Sequence, residues 1–330
     1  MRSISFTVPA DFEGSARLDQ YIASVSTDMN RSKLKSGAQE LLVNARNAKL
    51  STKVKAGDII DVLWEDSVPE DIIPENIPLR IVYEDENVTV VNKAQGMVTH
   101  PAAGNWTGTL VNALLFHWGS GSVKQIKEGR ENEILQKRRP GIVHRLDKDT
   151  SGLIITARNR ETEEYLCAQF KERLIQKEYI CIVCGRPPAS SGDVRTQIVR
   201  DMKNRQRFKA VTATEEGKFA RTIYHCIATY GQYSIMRVRI KTGRTHQIRV
   251  HMRYLGCPIL GDSIYGHADK LFPDATLMLH SRQMILRLPG SGRYRRFRAA
   301  VPYRFIKTVR ILREHFPREI MPKVKALCKK

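Results

Sequence analysis

Apolar positions recur along this chain with two periods. A spacing of three and four marks helices, and alternation or a short unbroken apolar run marks strands. From Ala16 a helix begins with Leu18, Tyr21, Ile22 and Val25 on one face. Asn30 or Ser32 can cap a second helix running through Leu34, Ala38 and Leu41. Lys55-Ala56-Gly57-Asp58 then turns into a short alternating strand. Two apolar runs, 79–83 and 88–92, flank the acidic turn Glu84-Asp85-Glu86-Asn87 and read as a hairpin. Thr107 or Thr109 starts a helix through Leu115. Residues 119–139 are rich in glycine and charge, carry no apolar period and read as a mobile loop. Residues 161–174 are amphipathic, with Tyr165, Leu166 and Phe170 inward. Residues 176–183 and 233–240 read as strands. Ile248, Met252 and Leu255 share one face of a helix that Gly256 can end.

One stretch breaks the pattern. In residues 141–157 both ends are apolar and strand-like, while His144, Arg145, Asp147, Lys148, Asp149, Thr150 and Ser151 crowd the middle. Such a polar run between strands belongs on a turn, since a buried turn leaves backbone groups unpaired. Asp147 is then offered at the end of a rigid element, which is where a reactive side chain can be held in place. A plain turn capped by its own aspartates would use the same residue types.

Composition narrows the class. At 330 residues with 42% hydrophobic and 27% charged residues, the chain reads as soluble and globular, with two domains. No apolar run nears the ~20 residues of a membrane span, and the first residues lack the apolar region of a signal peptide, so a cytoplasmic protein is expected. The net charge is +21. From Ser281 to Lys330 there are 15 Lys and Arg against 2 Glu, a local balance of +13. Phe297, Tyr303, Phe305, Ile306 and Ile311 in that region look packed, so it reads as a basic surface on a folded unit facing a polyanion. Arg31, Lys33 and Lys35 make a second basic cluster, and Arg205 and Arg207 stand in a third, over 200–209. Residues 65–78 hold five acids, no base and three prolines, and read as an extended linker. Cys181 and Cys184 have C-x-x-C spacing within a strand, where they point to opposite faces. They read as core residues, and no metal site is expected.

The wording of the polar run, His-Arg-Leu-Asp followed two residues later by Thr-Ser-Gly, resembles the active-site motif of the RluA-type pseudouridine synthases. Lys93 with His100-Pro101, Tyr179 after Lys177, and Gly-Arg-Thr-His-Gln-Ile-Arg-Val-His over 243–251 resemble further motifs of that family. Gly-Asn at 104–105 and Gly-Thr-Leu-Val-Asn-Ala-Leu-Leu at 108–115 look like its large-subunit ribosomal RNA branch, the D-type. The front of the chain is similar to an S4-type RNA-binding domain. There the family usually has Asn-Gly after the valine, where this chain has Val43-Asn44-Ala45-Arg46, and Ala tolerates positive φ poorly.

The resemblance implies an α+β fold. A mixed, mainly antiparallel sheet with flanking helices and a central cleft would span 79–330, behind a small S4-like (αL-type) domain over 1–64. It implies an isomerase that detaches uracil from C1′ and rejoins it through C5, which needs no cofactor. Asp147, Tyr179 and Arg249 would be catalytic. Arg249 would keep the Asp147 carboxylate ionised against burial, and Asp147 would act as nucleophile or as general base. Arg145, Ile248, Arg244, His246 and Lys93 would bind substrate. Arg145 would fill the gap left by a flipped nucleotide. The expected partner of this monomer is structured RNA, either large-subunit (23S) ribosomal RNA or a ribosome-assembly intermediate. Transfer RNA, or a non-catalytic RNA-binding or assembly role, are the alternatives.

Overall fold

Alternating apolar residues build the front of the chain as a sheet. In the computed structural model, which describes residues 2–26, 34, 38–64, 72–102, 104–119, 140–202, 204, 206–212 and 216–320, the chain divides into two units, 1–71 and 72–330. The first unit carries β1 (Arg2–Thr7), β2 (Ala16–Arg17), α1 (Leu18–Val25), β3 (Ala38–Val43), β4 (Arg46–Asn47), β5 (Lys53–Val54) and β6 (Ile59–Trp64). An antiparallel sheet runs in the order β1-β6-β3-β4, and β2 pairs with β5. Leu18, Tyr21 and Ile22 of α1 pack on Val54, Ile60 and Val62. Val25, expected on the same face, is 48% exposed.

The expected second helix does not reach Ala38 and Leu41, which lie in β3. Leu34 alone is helical there among the described residues. Leu41 pairs with Val62 and Val43 with Ile60, so cross-strand pairing with β6 overrides the helical spacing. The β3–β4 turn places Asn44 at φ 51 and Ala45 at φ 60, both left-handed, as a two-residue hairpin turn demands. Asn44 secures the turn, donating to Asp58 at 2.9 Å and accepting from the Ile59 amide at 2.9 Å.

The second unit holds β7 (Ile81–Glu84), β8 (Val88–Lys93), α2 (Leu110–Trp118), β9 (Ser151–Ala157), α3 (Arg160–Lys171), β10 (Gln176–Cys184), β11 (Ser191–Arg200), β12 (Phe208–Val211), β13 (Lys218–Tyr230), β14 (Tyr233–Ile240), α4 (Gln247–Tyr254), β15 (Leu279–Arg287), β16 (Tyr294–Arg298), α5 (Tyr303–His315) and β17 (Arg318–Glu319). Its sheet runs β12-β11-β13-β14-β10-β15-β9-β8-β7, with β16 on β15 and β17 on β13. Every pairing is antiparallel except β9 with β15, which meet in parallel over His280↔Ser151 and Ser281↔Gly152. The fold is thus α+β with a mixed, mainly antiparallel sheet. Helices α2 and α3 cover its faces. Strand β9 is buried along its whole length, Leu153 and Ile155 on one face and Ile154 on the other, which accounts for its unbroken apolar run.

Several expected details resolve here. Thr109, not Thr107, caps α2, and Asn112 completes a reciprocal capping box. Residues 65–71 of the expected linker lie outside the described residues. From Ile72 the chain is packed: Ile72 is buried, Asn112 donates to the Ile73 carbonyl, and Glu75 accepts from the Gly108 amide. Tyr165 of α3 faces solvent and not the core, which is met by Leu166 and, in part, Phe170. Cys181 is buried and Cys184 half-buried, both on β10. In the basic C-terminal region Phe297 and Phe305 are buried, but Tyr303 and Ile306 are exposed. Residues 119–139, read as a loop, lie almost wholly outside the described residues. No helix among the described residues is long and apolar enough to cross a membrane.

Candidate active site

The polar run forms a turn that feeds β9. The Thr150 amide closes it on the Asp147 carbonyl, 3.1 Å. The first apolar end makes only an isolated bridge, Ile142 with Thr156, and no strand. Gly152 lets β9 approach β15: a Cβ there would lie 2.3 Å from the Ser281 carbonyl oxygen. His144 accepts the Ile155 amide at 3.0 Å and stacks on Phe170 with centroids 4.6 Å apart. Burial, and then the charge of Lys177, bring its imidazole down to about 3, so it stays neutral and pins the loop.

Lys93 departs from its expected role. It is 1% exposed, and its ammonium donates to the carbonyls of Ala94, Met97 and Lys148 at 2.8–3.1 Å. Burial lowers it to about 7, opposed by the charges of Asp147 and Asp149. It braces the Asp147 turn from behind and does not line the cleft.

The cleft in front of the turn measures about 560 Å³ and brings together Arg145, Asp147, Tyr179, Arg244, His246, Ile248 and Arg249. Lys171, Arg173, Lys177, Arg239 and Lys241 add cations to its wall, a rim that the sequence reading missed because these residues are far apart in the chain. Asp147 precedes β9, Tyr179 lies on β10, and Arg249 is on α4. The carboxylate and its cation therefore come from opposite sides of the parallel seam.

Arg249 is buried, and its Nη1 stands 3.6 Å from the Asp147 Oδ2. Its tightest partner is a residue to which the sequence reading gave no role. Nε and Nη2 of Arg249 each donate to Asp262 at 2.7 Å, a bidentate pair. Burial pushes the Asp262 carboxyl upward most strongly, but the Arg249 hydrogen bonds and charge together with the Tyr265 and Ile264 amides hold the group below the usual carboxylate range. Asp262 also accepts the Ile264 and Tyr265 amides at 3.0 Å. The run Gly261-Asp262-Ser263-Ile264-Tyr265-Gly266 was the available signal. The guanidinium thus spans two carboxylates, one buried and bidentate, the other turned to the cleft.

His246 caps α4 in a left-handed conformation, φ 55, a strained position for a side-chain-bearing residue. Its Nδ1 lies 2.9 Å from the Tyr265 hydroxyl and its Nε2 3.9 Å from Asp147. Burial lowers its pKa, partly offset by Asp147. Phe208 meets the same imidazole edge-on at 5.7 Å, which sets the start of β12 beside the site. Arg207 directly precedes β12. Arg31, Lys33, Lys35 and Arg205 lie outside the described residues.

Tyr179 is 6% exposed. Burial raises its phenol well above the ordinary value, a hydrogen bond to Ser281 pulls it back, and the Asp147 charge adds to the rise. It stays protonated and can donate or stack but not serve as a phenolate. Arg145 is exposed at the cleft mouth, and Arg244 Nε donates to the Phe219 carbonyl at 3.0 Å.

Comparison with known proteins shows the family. The family model described as RNA pseudouridylate synthase matches residues 87–254, which hold Asp147, Tyr179 and Arg249. The chain is 40% identical over 300 residues to a protein of Borreliella burgdorferi named ribosomal large subunit pseudouridine synthase D, covering 89% of each chain. It is 35% identical over 317 residues to an uncharacterized RNA pseudouridine synthase of Bacillus subtilis, covering 96% of this chain and all of that one. Among solved structures, human RNA pseudouridylate synthase domain containing 1 shares the fold, with a TM-score of 0.55 at 23% identity over 76% of this chain and 92% of that one. A matched stretch that holds the carboxylate, the phenol and the guanidinium of one cleft, and relatives matched over nearly their whole length, place this chain in the RNA pseudouridylate synthase family.

Proposed function

We propose that this RNA pseudouridine synthase modifies large-subunit ribosomal RNA, with Asp147 as its catalytic carboxylate. Relatives named for the large ribosomal subunit support the substrate. The placement of Asp147 supports its role: a carboxylate at the base of a cation-lined cleft, 3.6 Å from a buried guanidinium and beside a protonated phenol. An isomerisation conserves atoms and electrons, so one charged group acting at the ribose, and a wall to hold the detached uracil while it turns, meet its needs. Arg249 holds charge opposite Asp147 as the glycosidic bond breaks. Tyr179 and Ile248 wall the uracil. Arg145, at the mouth, takes the place of the flipped nucleotide in the stack. The first unit, S4-like, and Arg207 before β12 add sequence-independent backbone contacts.

The test pairs a substitution with a map. Asp147→Asn binds a 23S ribosomal RNA transcript as tightly as the wild type and forms no pseudouridine in it. Full turnover in this variant ends the assignment. Nucleotide-resolution mapping of cells lacking the protein shows pseudouridines missing from large-subunit RNA. Losses confined to transfer RNA would replace the ribosomal substrate.

A further inference from the structure

Beyond the cleft, the β15–β16 hairpin carries a face of arginines turned to solvent. Its register sets Gln283 opposite Arg298, Ile285 opposite Arg296, and Arg287 opposite Tyr294. Opposed residues share a face of a ladder, and every second residue returns to it. The other face of the hairpin is spent on the core, through Met284, Leu286 and Phe297. On the free face Arg287, Tyr294, Arg296 and Arg298 are all exposed. Among the described residues none of these three arginines is in a salt bridge.

Two contacts organise this face. Arg298 Nε donates to Gln283 at 2.9 Å, and the Arg287 guanidinium sits 4.7 Å over the Tyr294 ring. Gln283 in turn lines the cleft, as does Arg239. Arg239 opposes Glu178, Glu178 opposes Gln283, and Gln283 opposes Arg298. One row of side chains therefore crosses four strands from the cleft wall to the hairpin, a span of about 14 Å at the usual strand spacing.

We propose that this face is a second RNA-backbone contact. It seats the phosphodiester strand next to the target while the cleft holds the uridine. Arg296 and Arg298 at alternate positions of β16, with Arg287 across the ladder from Tyr294, meet successive phosphates, and Tyr294, steadied by Arg287, offers a ring for a base. The inference rests on RNA as the substrate and adds a surface that extends the cleft along the sheet.

The experiment measures binding of a full-length 23S ribosomal RNA transcript across a salt series, together with kcat and KM. R287Q/R296Q/R298Q flattens the dependence of log Kd on log salt by about two to three, one step per lost phosphate contact. KM rises about tenfold at moderate salt, while kcat stays near wild type. R287K/R296K/R298K keeps the wild-type slope. K270Q/K307Q/R310Q removes the same charge elsewhere and leaves slope and KM near wild type. The proposal is overturned if the first variant keeps the wild-type slope, if the lysine variant loses it, or if the control loses as much. A wild-type protein that binds this transcript without modifying it counts against the ribosomal assignment alone, because the slope is read from binding.

Discussion

At the scale of residues, the proposed chemistry rests on how one guanidinium is divided. Arg249 gives its two best hydrogen bonds to Asp262, which leaves Nη1 to face Asp147 across 3.6 Å. A carboxylate bonded tightly to arginine would be a poor group to bring to a ribose, since its lone pairs would be occupied. Held at arm's length, it keeps the favourable field and remains accessible. Asp262→Asn breaks a buried pair, so the expected cost is about 3–5 kcal/mol of stability. A fall in kcat of about a hundredfold should accompany it as Arg249 loses its aim. Urea unfolding and single-turnover rates check both, and unaltered turnover would remove Asp262 from the site. That Asp147, Tyr179 and Arg249 share one cleft was legible because their motifs are short and local. Asp262 was not, because an Asp before a turn reads the same whether it caps that turn or orients an arginine 13 residues away. Lys93 was misjudged for a related reason: sequence marks the residue as special without saying on which side of the loop it lies.

At the scale of elements, local pattern succeeded wherever one face decides the structure. The hairpin at 81–93, the capped helix α2, strands β10 and β14 and the amphipathic α4 all follow from apolar spacing. It failed at Ala38 and Leu41, where pairing with Trp64 and Val62 of β6 decides. It was also blind to β16, whose Tyr-Arg-Arg-Phe-Arg text buries one side chain and leaves four in water. The β3–β4 turn shows a further conflict. Ala45 occupies φ 60, a region that costs a residue with a Cβ about 1–2 kcal/mol. Glycine relieves that strain and returns part of the gain as entropy of the unfolded chain. Ala45→Gly should therefore stabilise the first unit by about 0.5–1 kcal/mol, read as an upward shift in its thermal midpoint. A downward shift would contradict the turn geometry.

At the scale of the whole molecule, fold class followed from the resemblance, but the way the large sheet is joined did not. Among the described residues, the strand pairing that joins its two parts consists of His280↔Ser151 and Ser281↔Gly152. Side chains reinforce the join: Ser151 Oγ lies 2.9 Å from His280 Nδ1 and accepts from Arg304 at 2.7 Å, and Gln95 reaches the Leu277 carbonyl at 3.0 Å. One part carries the acid, the other its cation and the phenol. With Asp147 as the proposed catalytic carboxylate, reactivity is a property of the assembled halves and belongs to neither. Mild denaturant that loosens these two rungs separates the reacting groups while most strands remain paired. Catalysis should then vanish at a lower urea concentration than the far-ultraviolet signal of the sheet, and coincident midpoints would show the join to be as firm as the rest. On the proposed assignment, a protein so built carries its own safeguard: a half-folded copy that keeps its basic faces would hold RNA and yet be disarmed.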